Sequence, residues 1–172
     1  MKTLLALIAS LLLISPAMAQ QPCMEQISHC EFTYLKMGLG IFPNEGVGPT
    51  FGLGKRWESG FSAIDASINW SESGSSEYVS IVKAMYLYRF TPFDVNGMYA
   101  GGGMSIGSLT QPNHRRFSGL LAEFAVGFEM LCQQSIRTFL ELNISQGMVA
   151  FDAKHKAHGF NPFISMSAGF GF

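Results

Sequence analysis

Hydrophobic and polar residues alternate along most of this chain, most strictly over residues 161–172. Pro162, Ile164, Met166, Ala168, Phe170 and Phe172 share one face, and Phe163, Ser165, Ser167, Gly169 and Gly171 the other, the two-residue period of a strand. The same period recurs upstream. Leu35, Met37, Leu39 and Ile41 oppose Tyr34, Lys36, Gly38 and Gly40. Pro49, Phe51, Leu53 and Trp57 oppose Thr50, Gly52, Gly54 and Arg56, and Ile64, Ala66, Ile68 and Trp70 oppose Asp65, Ser67 and Asn69. A fourth run sets Tyr78, Val82, Ala84, Tyr86, Tyr88 and Phe90 against Lys83 and Arg89, although Ile81, Met85 and Leu87 also fall on the charged side. After a glycine-rich run over 98–106, Leu120, Ala122, Phe124, Val126 and Phe128 oppose Glu123 and Glu129, and Leu140, Leu142 and Ile144 oppose Arg137, Glu141 and Asn143. About eight strands of roughly ten residues make the smallest even set that closes a membrane barrel. The expected fold is all-β, an eight-stranded antiparallel up-and-down transmembrane β-barrel.

Turn signals divide these runs into short and long connections. Short turns near Ser59, the first formed by Glu58, Ser59 and Gly60, near Asp94 and near Gln133 would lie at the end that holds the N-terminus. Longer loops near Asn44, Gly74, Asn113 and Lys156, the longest over 147–159, would lie at the other. Trp70 and Tyr78 then fall at the outer rim, and Trp57, Tyr88, Phe90, Phe128 and Phe172 at the inner one, as two aromatic girdles. Lys55 lands on the apolar face beside Trp57, within reach of the interface by snorkelling. The run Gly101, Gly102, Gly103 is not a phosphate loop, because Ile106 stands where that fingerprint wants glycine and no helix follows.

The first 19 residues have another character. Lys2 precedes an apolar run over Leu4 to Ile14, and Ala17, Met18 and Ala19 form a small-x-small cleavage site, which reads as a secretory signal. The domain division expected is a signal over 1–19, a short periplasmic segment over 20–31, and the barrel over 32–172. Composition agrees: the 172 residues include 19 Gly, 13% aromatic and 13% charged, well under the roughly 25% charged of an ordinary soluble domain. Removing the signal takes away Lys2 and moves the net charge from -1 to about -2, a balance that argues against nucleic acid as a partner. Three cysteines in an exported chain imply one disulfide. Cys23 with Cys30 is the preferred pair, and Cys30 with Cys132 also satisfies the topology.

On the cleavable signal, the alternating runs, the rhythm of turns and loops, and terminal Phe172 preceded by Phe170, the chain resembles small bacterial outer-membrane barrels of the OmpX/Ail type or the membrane domain of OmpA. The resemblance implies location in the bacterial outer membrane, with outer-membrane lipid and lipopolysaccharide as surroundings. It also implies an assembly signal, carried here by Met166, Phe170 and Phe172, that the barrel-assembly machinery reads.

The chemistry left to assign is electrostatic. The interior faces collect Lys36, Arg56, Asp65, Lys83, Arg89, Glu123, Glu129, Arg137 and Glu141, which in so narrow a barrel must pair with one another. An ion-paired plug without an open pore is the main expectation, and a gated ion path through Lys83, Arg89, Glu123 and Glu141 is the rival. Two outer loops carry His114, Arg115, Arg116, Lys154, His155, Lys156 and His158, a basic patch suited to lipopolysaccharide phosphates or, as an adhesin, to host surface glycans or proteins. The function expected is thus structural or adhesin-like. The alternative of a lipid A-modifying enzyme would need His with Ser and an acid. His114 with Ser118, or His155 with Asp152, offers this without any matching motif, so no catalytic residues are assigned. No cofactor is expected, and no metal site, since Cys-x-x-Cys and a full ligand set are missing. A soluble lipocalin-like carrier remains open, because periodicity does not say which face of each strand points inward.

Overall fold

The structure is a computed structural model that describes residues 30–42, 46–73, 76–92, 94–110, 116–130, 136–150 and 162–172. Eight strands follow one another: β1 (Cys30–Phe42), β2 (Gly46–Ser59), β3 (Ser62–Ser73), β4 (Ser76–Arg89), β5 (Gly97–Thr110), β6 (Arg116–Met130), β7 (Arg137–Ala150) and β8 (Phe163–Gly171). Each pairs antiparallel with its sequence neighbours, and the sheet closes into a barrel. The closure is made by β1 against β8, from Tyr34 opposite Gly171 to Ile41 opposite Ile164. All edges are thereby removed, which matters for strands whose backbone groups have no water to pair with in hydrocarbon.

Alternation becomes partition across the wall. Leu35, Met37, Leu39, Ile41, Phe51, Ile64, Ile68, Phe124, Val126, Leu140, Leu142, Met166, Phe170 and Phe172 are exposed on the outside. Lys36, Arg56, Asp65, Lys83, Glu123, Glu129, Arg137 and Glu141 are buried inside. This is the inverse of a soluble protein and of a lipocalin-like carrier, whose apolar residues would line the cavity, so the soluble alternative is overturned. Aromatic belts mark both ends of the outer surface. Phe51 stacks on Trp70 at the long-loop end, with ring centroids 5.8 Å apart. Phe61 stacks on Tyr88 at 6.1 Å and Tyr88 meets Phe90 edge-on at 5.4 Å at the other.

Several boundaries differ from those the pattern predicts. β1 begins at Cys30 rather than Phe32, β7 runs on to Ala150, and β5 and β6 extend to Thr110 and from Arg116. Backbone pairing carries the ladder past the apolar span, so the hydrophobic signal underestimates strand length. Residues 1–29 lie outside the described residues, and with them the signal, most of the 20–31 segment, and Cys23; so does Cys132.

One side chain changes face. Tyr78, expected on the outer rim, is 2% exposed and points inward. The cause is a bulge: the ladder steps from Ser80 opposite Gly107 to Val82 opposite Ile106, leaving Ile81 as an extra residue. Ile81 and Val82 are then both exposed, and every residue before them is shifted in parity relative to Tyr86 and Tyr88.

Bulky interior rings are accommodated by glycines opposite them. Tyr34 lies across from Gly54, Tyr99 from Gly127 and Phe139 from Gly169. A Cβ at each of these glycines would run into the facing ring, so the absence of a side chain there is a packing requirement.

Candidate functional site

The barrel interior is the one place where charged side chains are concentrated among the described residues. All nine predicted members are buried there, and a tenth joins them: Glu58, expected in a turn, lies in β2 and is 3% exposed. Five cations, Lys36, Arg56, Lys83, Arg89 and Arg137, face five carboxylates, Glu58, Asp65, Glu123, Glu129 and Glu141. The equality matters, since an unpaired ion in such surroundings costs several kcal/mol.

The charges form tiers along the axis. Near the end holding the termini, Glu58 Oε2 accepts from Arg137 Nη1 at 2.7 Å and lies 3.1 Å from Arg89 Nη1. Arg137 also donates from Nη2 to Cys30 Sγ at 2.9 Å and sits over the Phe32 ring, 4.7 Å from its centroid. Glu58 occupies the last inward position of a strand that runs to Ser59, right up to the turn, so in the sequence the turn signal in Glu58, Ser59 and Gly60 masks its inward parity.

Arg56 holds the next tier. Its Nε donates to Asp65 at 3.0 Å, its Nη1 to Glu129, and its Nη2 lies 3.6 Å from Glu141. Four rings surround the guanidinium, with Tyr99 at 4.5 Å, Phe139 at 5.3 Å, and Phe32 and Tyr34 both at 5.7 Å. A delocalised, weakly hydrated cation suits this box better than an ammonium would. The Tyr34 hydroxyl donates to Asp65 at 2.7 Å and that of Tyr99 to Glu141 at 2.8 Å. The rings thus contribute hydrogen bonds as well as their faces.

Above them, Lys36 donates to Glu141 at 2.7 Å and Lys83 lies 3.2 Å from Glu123. Glu123, with 0% exposure, accepts from Ser105 at 2.6 Å, Ser145 at 2.7 Å and Tyr78 at 2.9 Å. The inward turn of Tyr78 therefore has a chemical purpose: it brings a fourth partner to a carboxylate that no water reaches. Tyr78 also stacks on Phe163 at 4.5 Å, and Phe163 meets Phe42 at 4.9 Å. With Leu121, these rings form a buried cluster toward the long-loop end of the interior.

The arrangement can hold charge in place. Of the other predicted residues, His114, Arg115, Lys154, His155, Lys156 and His158 lie outside the described residues, as does Asp152. Arg116 is described only as the first residue of β6, opposite Thr110. Met166, Phe170 and Phe172 are exposed on the outer face of β8 and its end.

No family model matches the chain, and no curated protein does. Among solved structures, the crystal structure of the outer membrane enzyme PagL is similar over 83% of this chain and 98% of its own, at 13% identity and a TM-score of 0.49. A de novo designed transmembrane β-barrel is similar over 90% of this chain and 100% of its own, at 11% identity and a TM-score of 0.44. The continuous antiparallel ladder and the partition of charge inside from apolar surface outside, rather than these distant likenesses, make the chain an eight-stranded barrel of the transmembrane type.

Proposed function

We propose that the protein is a bacterial outer-membrane barrel, exported by a signal removed after Ala19, that works as a structural and surface-interaction protein and neither conducts ions nor catalyses a reaction. The observation that carries this reading is the interior. Ten buried charges, balanced in sign, are interlocked with Tyr34, Tyr78 and Tyr99, and a buried cluster with Phe42 and Phe163 lies toward the long-loop end. Such an interior supports rigidity and leaves binding to the loops, whose basic residues Arg115, Arg116, Lys154 and Lys156 suit lipopolysaccharide phosphates or the sulfate groups of host glycans. A disulfide from Cys30 to Cys23 or Cys132 would tie down the end of the barrel that holds the termini.

The test is direct. The protein should stay in the membrane pellet after carbonate washing, show heat-modifiable gel mobility, and give no steady single-channel steps in planar bilayers. Large, steady steps from pure protein refute the plug. Salt-sensitive heparin binding that disappears when the four basic loop residues are neutralised supports the adhesin role, and unchanged binding refutes it. Lipid A of identical mass with and without the protein is the expected result for a non-enzyme.

A further inference from the structure

Among the described side chains, charge is scarce on the outer face of the strands, and in the half nearest the termini it comes as one complementary pair. Lys55 and Glu31 lie 3.0 Å apart, with side chains 40% and 49% exposed. Lys55 stands over the Trp57 ring, 5.5 Å from its centroid. Thr33, directly opposite Lys55 in the ladder and two residues from Glu31, shares their outward parity, and its backbone is hydrogen-bonded to that of Phe172 on its other side. Lys55 is four residues from Ser59, which ends β2; at the rise and tilt of barrel strands this is about 10 Å from the barrel end. That is the depth of a headgroup boundary once a lysine side chain extends toward it.

We infer that Glu31, Thr33, Lys55 and Trp57 form an interfacial site for the ethanolamine headgroup of a zwitterionic phospholipid, in the leaflet on the side of the termini. The inference rests on the membrane reading above. The pair saturates neither partner: an ammonium has three donors and spends one on Glu31, while the carboxylate keeps acceptor positions beyond that bond. A lipid phosphate can therefore take a second Lys55 donor and the Thr33 hydroxyl, and the lipid ammonium can donate to Glu31, without breaking the existing bond. Choline offers no N–H to Glu31, and glycerol no cation. The Trp57 ring, 41% exposed, supplies the amphipathic wall that such boundaries favour.

Trp57 is also the reporter. In the W70F protein reconstituted in mixed bilayers, Trp57 fluorescence should be quenched by dibrominated phosphatidylethanolamine in preference to dibrominated phosphatidylcholine by roughly two- to fivefold, the range of one exposed ion pair. E31Q and K55Q, both surface changes checked by heat-modifiable mobility, should each abolish the preference. W57F, which leaves Trp70 as reporter, should show none. Equal quenching by the two lipids at Trp57, or a preference that survives both E31Q and K55Q, overturns the site. Stronger quenching by brominated phosphatidylglycerol than by the ethanolamine lipid also overturns it, because that marks a bare cation. Quenching at neither tryptophan by any brominated lipid refutes the membrane reading itself.

Discussion

Arg56 is where the interior is most exposed to a single change. Replacing it with Met keeps much of the volume inside the four-ring box but removes the cation that Asp65, Glu129 and Glu141 share. The three carboxylates are not equally affected. Asp65 keeps the Tyr34 hydroxyl, Glu141 keeps Lys36 and Tyr99, and Glu129 keeps Arg89 at 3.6 Å. The interior goes from balance to one excess negative charge at a position 1% exposed, and breaking a buried ion pair from one side costs about 3–5 kcal/mol. With a urea slope of about 2 kcal/mol/M, the unfolding midpoint in phospholipid vesicles should fall by about 2 M, read by heat-modifiable mobility and by tryptophan fluorescence. Adding Glu129→Gln to Arg56→Met restores the balance and should regain ~1–3 kcal/mol, the penalty of a buried charged group left short of partners. A midpoint for Arg56→Met within about 0.3 M of the parent, on the same slope, refutes the hub. Identical midpoints for the single and double variants refute charge imbalance as the cause.

Three further outcomes are expected. Gly169→Ala places a methyl against the Phe139 ring and should destabilise by about 1–3 kcal/mol; Phe139→Leu in the same chain should relieve part of this in the same urea assay. Deleting Ile81 removes the bulge, so Tyr78 cannot keep both its ladder position and its bond to Glu123; the midpoint should fall further than for Ile81→Ala, which keeps the parity. Deleting Phe172 should leave the protein exported but unassembled in the periplasm, seen as loss of the heat-modifiable band; normal insertion would remove Phe172 from the assembly role while leaving the barrel intact.

The wall of the barrel was legible in the sequence because a strand exposes its period to inspection. Where Arg56 sits two positions from Glu58 and one from Trp57, or Glu141 two from Asn143 and one from Leu140 and Leu142, the two faces separate without any knowledge of partners. That the first strand closes on the last, from Tyr34 to Ile41, is what an up-and-down barrel of eight strands requires. What periodicity did not determine was sign, that is, which face points inward; that came only from closing the sheet, which buries charges that can pair and leaves outside the apolar face that lipid can meet. Nor did it determine parity across an irregularity. The bulge at Ile81 turns Tyr78 from a supposed girdle residue into a ligand of Glu123, and the extension of β2 to Ser59 brings Glu58 into the lumen as the partner of Arg89 and Arg137. Lys55 was legible as an exception on the apolar face, but its partner was not, because Glu31 is remote in the chain and meets it only across the β1–β2 ladder. Local sequence thus determined which residues share a face, through the two-residue period of the backbone. The ion pairs themselves were decided by the tertiary structure, since each joins different strands: Arg56 meets Asp65 through the register of the β2–β3 ladder, and Lys36 reaches Glu141 only across the closed barrel.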